Sequence, residues 1–94
     1  MYQIVETDEQ ATTKNGSDFT PVLTLASEHG GRVQIAVDDS CYVLYVRHPD
    51  GHYGLSSHWF HEAVSAMRTL PNNPREAQDQ MLAKRRRAKL RPVA

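Results

Sequence analysis

The feature that constrains this chain most is Cys41-Tyr-Val-Leu-Tyr-Val46, six consecutive residues that are apolar or aromatic. A strand with one wet face alternates, whereas a strand covered on both faces does not. The run therefore predicts the centre of a sheet with cover above and below. Tyr42, Leu44 and Val46 share one face of it, and Cys41, Val43 and Tyr45 share the other.

The neighbouring stretches supply the rest of that sheet. Arg32 to Val37 alternates without a fault, with Val33, Ile35 and Val37 inward. Pro21 to Ser27 begins on a residue tolerated at a strand's first position and puts Leu23 and Leu25 on one face. Glu28-His29-Gly30-Gly31, Asp38-Asp39-Ser40 and His48-Pro49-Asp50-Gly51 read as turns, the last the strongest because proline pre-sets φ and glycine accepts positive φ. Tyr53 and Leu55 continue a shorter strand. Links this short predict an antiparallel meander. Tyr2 to Glu6 alternates weakly and reads as a short edge strand. Residues 7–20 hold only Ala11 and Phe19 as apolar side chains around an Asn15-Gly16 turn, and read as a mobile polar loop. Thr7 and Gln10 have capping-box spacing, but the helical turn Asp8 to Thr13 has no apolar stripe behind it.

After Ser56 and Ser57, both able to cap a helix, the period changes. Phe60, Ala63, Val64 and Met67 fall at i, i+3, i+4 and i+7, with Trp59 and Leu70 beside them, which predicts an amphipathic helix of about 13 residues lying on the sheet. Pro71 ends it. Asn73-Pro74 opens a second helix, with Glu76 and Asp79 near its start and cations near its end, as the helix dipole favours. That helix is read over 73–90, fraying after Arg85, with 91–94 as a tail stopped at Pro92. The fold class is thus α+β: three to four antiparallel strands, one amphipathic helix on one face, then a second, basic C-terminal helix. All 94 residues form one domain, with 21–70 as its core.

Charge is balanced at 11 basic and 11 acidic residues, but it is not evenly spread. Residues 1–74 carry four basic side chains against nine acidic ones, a balance of −5, and the last twenty carry seven against two, a balance of +5. An acidic body with a basic tail can attract itself, another copy, or separate partners. The single cysteine, Cys41, is read as a buried small hydrophobe, and one thiol without a partner places the chain in a reducing, cytoplasmic setting. The N-terminus lacks a basic-then-apolar leader, and no apolar run has the length of a membrane span.

No stretch carries a specific catalytic, metal or nucleotide motif. His48, His52, His58 and His61 lie within fourteen residues, and His58 and His61 share a helical face, yet the only acidic candidates to complete a zinc shell are Asp50 and Glu62. They read as surface histidines, so no metal or other cofactor and no enzyme activity is expected. Lys84, Arg85, Arg86, Arg87, Lys89 and Arg91 have the density of a phosphate-binding segment, although no aromatic interleaves them to stack on bases. The central strand makes the other surface. One helix hides one face, and the opposite face needs the second helix, the N-terminal segment or another protein. A tyrosine-bearing apolar sheet face suits a partner or a dimer contact, which nominates Tyr42, Tyr45, His48 and Tyr53.

In outline, from Val33 to Arg87, the meander, the helix opening on Trp59-Phe60, the stop at Leu70-Pro71 and the polar second helix resemble the small phage-encoded inhibitors of bacterial defence, the anti-CRISPR proteins among them. The resemblance implies a non-catalytic protein that blocks a host complex by occupying a surface, and it names no binding residue. The leading expectation is therefore a small cytoplasmic binding protein that engages a protein partner, or a second copy of itself, through its sheet face and charged end. The alternative is a nucleic-acid-binding regulator that sets Lys84 to Arg91 on phosphates.

Overall fold

The computed structural model describes residues 1–6, 11–13 and 15–90, the last three of these through their backbone alone. In chain order the elements are β1 (Tyr2–Val5), β2 (Ala11–Thr12), β3 (Asp18–Phe19), β4 (Leu23–Ser27), β5 (Arg32–Asp38), β6 (Cys41–Arg47), β7 (Tyr53–Ser56), α1 (His61–Met67) and α2 (Pro74–Leu90). The α+β class and the antiparallel sheet are as the sequence predicts. The main sheet, however, has five strands in the order β1-β4-β5-β6-β7, and β2 and β3 form a separate two-stranded ribbon.

Register assigns the two faces. Val33 pairs Val46, Ile35 pairs Leu44 and Val37 pairs Tyr42, while Leu23 and Leu25 pair Ile35 and Val33. Directly opposed residues in an antiparallel pair point to the same side. This face holds the core: Leu23, Leu25, Val33, Ile35 and Leu44 are buried with Ala63 and Ala66 of α1, and Tyr2, Tyr42, Val46, Trp59, Phe60, Met67 and Leu70 pack around them. A backbone N–H of β1, at Tyr2, donates to the Glu62 carboxylate and so ties the edge strand to the helix.

α1 is shorter than its periodicity suggests. Its N-cap is Phe60, extended at φ −75° and ψ 165°, and no side chain caps it. Ser56 remains paired to Leu44 in β7, and its hydroxyl accepts from the His58 N–H at 3.2 Å, so the serines close a local turn instead of the helix start. The last turn then tightens, with Thr69 and Leu70 donating to the carbonyls three residues back, Ala66 and Met67, at 3.0 Å. The buried stripe runs through Ala63 and Ala66, small residues that let the helix sit close to the sheet.

The start of α2 is as predicted. Pro74 is its first residue, and Asn73 caps it, its side-chain oxygen accepting the Arg75 N–H at 3.1 Å and its carbonyl the Glu76 N–H at 3.1 Å. Regular helix continues through Leu90, past the predicted fraying point at Arg85. The predicted tail, 91–94, lies outside the described residues, as do residues 7–10, but Ala11 to Thr13 at the end of the expected helical turn are strand and bridge instead of helix. No described helix is long and apolar enough to cross a membrane.

Candidate functional site

The second sheet face was the candidate docking surface, and the chain covers much of it itself. Thr24, Gln34, Ala36, Val43, Tyr45 and Tyr53 lie on this side by register. The segment read as a loop supplies one cover. Phe19 of β3 stacks on Tyr45 with ring centroids 4.2 Å apart and meets Tyr53 edge-on at 5.7 Å. Thr13 bridges to Tyr53, and Ala11 is buried. α2, which packs against β5, supplies the other: Ala77 and Ala36 are both buried, and neither belongs to the α1 cluster.

Beneath this cover the polar groups are paired. The Thr24 hydroxyl donates to the Gln34 side-chain oxygen, and the Gln34 amide donates to the Tyr53 hydroxyl at 3.2 Å. Thr24 and Gln34 are 1% and 3% exposed, so the network is an interior one. Of its members the sequence singles out only Tyr53, and as a partner-binding residue. Their signal in the sequence was weak: polar side chains directly opposed on two neighbouring central strands.

The nominated tyrosines therefore serve the fold. Tyr53 is 6% exposed, Tyr45 lies under Phe19, and Tyr42 sits on the α1 face with its hydroxyl donating to the Pro71 carbonyl at 2.6 Å. Burial, and then the charge of Glu76, raise the Tyr42 pKa above the ordinary 10.0. Of the four nominees only His48 stands at a rim, in the turn between β6 and β7. Cys41 is likewise corrected: it is exposed, because its partner Asp38 is the last pair before the β5–β6 turn and the sheet ends there. The other apolar side chains left outside are Met1, Ile4, Val5, Leu55 and Leu82, spread over both sheet edges and α2.

The cationic segment has gained a shape. Ala77, Met81 and Arg85 recur every fourth residue on the enclosed side of α2, while Lys84, Arg86 and Arg87 are exposed. Arg85 is the exception among the predicted phosphate ligands: it is half-buried, and its Nη2 is enclosed without an acceptor among the described residues. Lys89 lies in the helix, and Arg91 lies outside the described residues. At the opposite end Arg75 pairs with Asp39 at 3.2 Å, joining the first turn of α2 to the β5–β6 turn. Seventeen residues at about 1.5 Å each carry the charge about 25 Å from helix start to helix end. His58 and His61 are exposed, and among the described residues no three His, Cys, Asp or Glu side chains gather to hold a metal ion. No protein-family model matches the chain, and no curated protein or solved structure does either.

Proposed function

We propose that this is a small non-catalytic binding protein, working in the cytoplasm, whose contact element is the cationic end of α2 and whose partner is the phosphate backbone of a nucleic acid. The observation that carries this reading is the exposure of Lys84, Arg86 and Arg87 on a regular helix anchored by Ala77. Cations fixed on a rod release counterions from a phosphate chain without reading its sequence, and the lack of stacking aromatics makes the contact sequence-independent. The partial cover of the second sheet face moves the weight from the tyrosine surface to the helix.

Binding of a short DNA duplex, followed by fluorescence anisotropy at about 50 and 200 mM salt, is the test. Affinity should fall steeply between the two, and Lys84→Gln with Arg86→Gln and Arg87→Gln should remove most of it. Affinity that ignores those three changes would end the reading.

A second reading, a phage-type inhibitor that blocks a host protein complex, is favoured by the other pole of the charge. Asp38 and Asp39 are exposed at the β5–β6 turn, giving the molecule an acidic tip to set against a basic protein surface. Its mark would be capture of a host complex that survives the loss of the α2 cations but not Asp38→Asn with Asp39→Asn.

A further inference from the structure

The β4–β5 and β6–β7 turns lie at the same end of the meander and border an open cleft of about 530 Å³, lined by His29, Gly30, Gly31, Arg47, His48, Pro49 and Gly51. We propose that this cleft is a phosphate site, in which the Arg47 guanidinium and the His48 and His29 imidazoles hold the anion over a floor of glycine backbone.

Charge is the first argument. The lining holds one permanent cation and two imidazoles, and no carboxylate. Of the nearby acids, Asp50 is engaged outside the lining, accepting the His52 N–H at 2.9 Å and lying 3.6 Å from the His52 ring. Glu28 lies on the rim, 3.9 Å from the His29 imidazole, and leaves Arg47 and His48 as the principal ligands. Arg47 spends one Nη2 donor on the Gly30 carbonyl at 2.6 Å, which clamps one turn to the other, and has no carboxylate partner among the described residues. A guanidinium has five N–H donors in a planar fork suited to phosphate, so most of that capacity is unspent.

Shape is the second. Gly30 and Gly51 have φ of +86° and +90°, and a side chain added at either would meet open space, so the walls there are bare backbone. Gly31 and Gly54 are glycines for a different reason. A Cβ on Gly31 would run into the Tyr2 and Ser27 hydroxyls, and a Cβ on Gly54 would occupy the position of the His48 imidazole. His48 thus sets the Nε2 edge of its ring against a strand made bare to receive it. Its ring makes no hydrogen bond or ion pair among the described residues. An imidazole held in place beside a guanidinium that keeps most of its donors has the chemistry of an oxyanion ligand. The volume falls in the range of small-ligand pockets and leaves room for the group that the phosphate carries. The site is remote in sequence from α2 and stands whether or not that helix binds nucleic acid.

The test is an amide and side-chain NMR titration of the full chain with inorganic phosphate, with a 5′-mononucleotide and with a short DNA duplex. Phosphate or mononucleotide should give saturable shifts at Gly30, Gly31, Gly51, Arg47 and His48. Arg47→Gln should weaken binding roughly tenfold or more. Gly54→Ala should weaken it by displacing the imidazole with a single methyl, while Arg68→Gln, at an exposed residue beyond α1, leaves it unchanged. If the duplex shifts the same groups, the phosphate belongs to a nucleic-acid backbone; if the mononucleotide alone does, it belongs to a free nucleotide. Absence of saturable shifts at millimolar phosphate and nucleotide, or shifts that survive Arg47→Gln at full affinity, would overturn the proposal.

Discussion

Tyr42 links the sheet to the segment between the helices through its bond to Pro71, and its ionisation is therefore coupled to folding. Because its pKa is raised in the folded chain, first by burial and then by Glu76, the native state keeps the phenolic proton where the unfolded chain has begun to release it. The associated stability is whole below the ordinary tyrosine value of 10.0 and drains as pH rises through the folded value. Urea midpoints measured from pH 8 to pH 11 should accordingly fall more steeply above about pH 10 in the natural chain than in Tyr42→Phe, which has no proton to lose. At pH 8 the variant should be weaker by about 0.5–1.5 kcal/mol, the net worth of one hydrogen bond. Gln34 tests the interior network in the same way. Gln34→Leu keeps the volume but leaves the buried Tyr53 hydroxyl without its donor, and should cost about 1–3 kcal/mol in the same denaturation assay.

Among the elements, the β2–β3 ribbon covers part of the second face, chiefly by placing Phe19 over Tyr45 and Tyr53. Phe19→Ala should destabilise by about 1–3 kcal/mol, combining lost aromatic contact with exposure of the two tyrosines, and should raise binding of a hydrophobic dye. This ribbon also marks where sequence reading stops. Strands β4 to β7 were legible because their apolar alternation and their Gly- and Pro-bearing turns agree at every step, and the start of α2 was legible because Asn73-Pro74 carries its own capping chemistry. Strands of two residues have no period to detect. Only Phe19, a lone aromatic beyond an Asn15-Gly16 turn, hinted that the polar stretch returns to the sheet. The same gap hid the cover on that face: the apolar surplus of Cys41 to Val46 is real, and Phe19 of the same chain takes up part of it. The phosphate cleft was illegible for a related reason, since its residues come from two turns sixteen or more positions apart, brought together by strand order alone.

For the molecule as a whole, an acidic body and a cationic helix end must coexist without collapsing on one another, and the pairing of Arg75 with Asp39 shows how this is arranged. It fixes the start of α2 at the acidic turn and leaves Lys84, Arg86 and Arg87 a helix-length away. Cations held there should act on a polyanion one by one. In a plot of log affinity for duplex DNA against log salt, replacing any of these three by Met should lower the slope by roughly one unit. Arg85 should behave differently, because its stem lies on the packed side and its Nη2 is enclosed without an acceptor among the described residues. Arg85→Met keeps the apolar stem and removes the unmatched donor, so it should leave the salt slope nearly unchanged and hold or raise the urea midpoint. A slope that falls as much for Arg85→Met as for Arg86→Met would mean that the helix rotates on its seat when it meets a partner, turning its packed side outward.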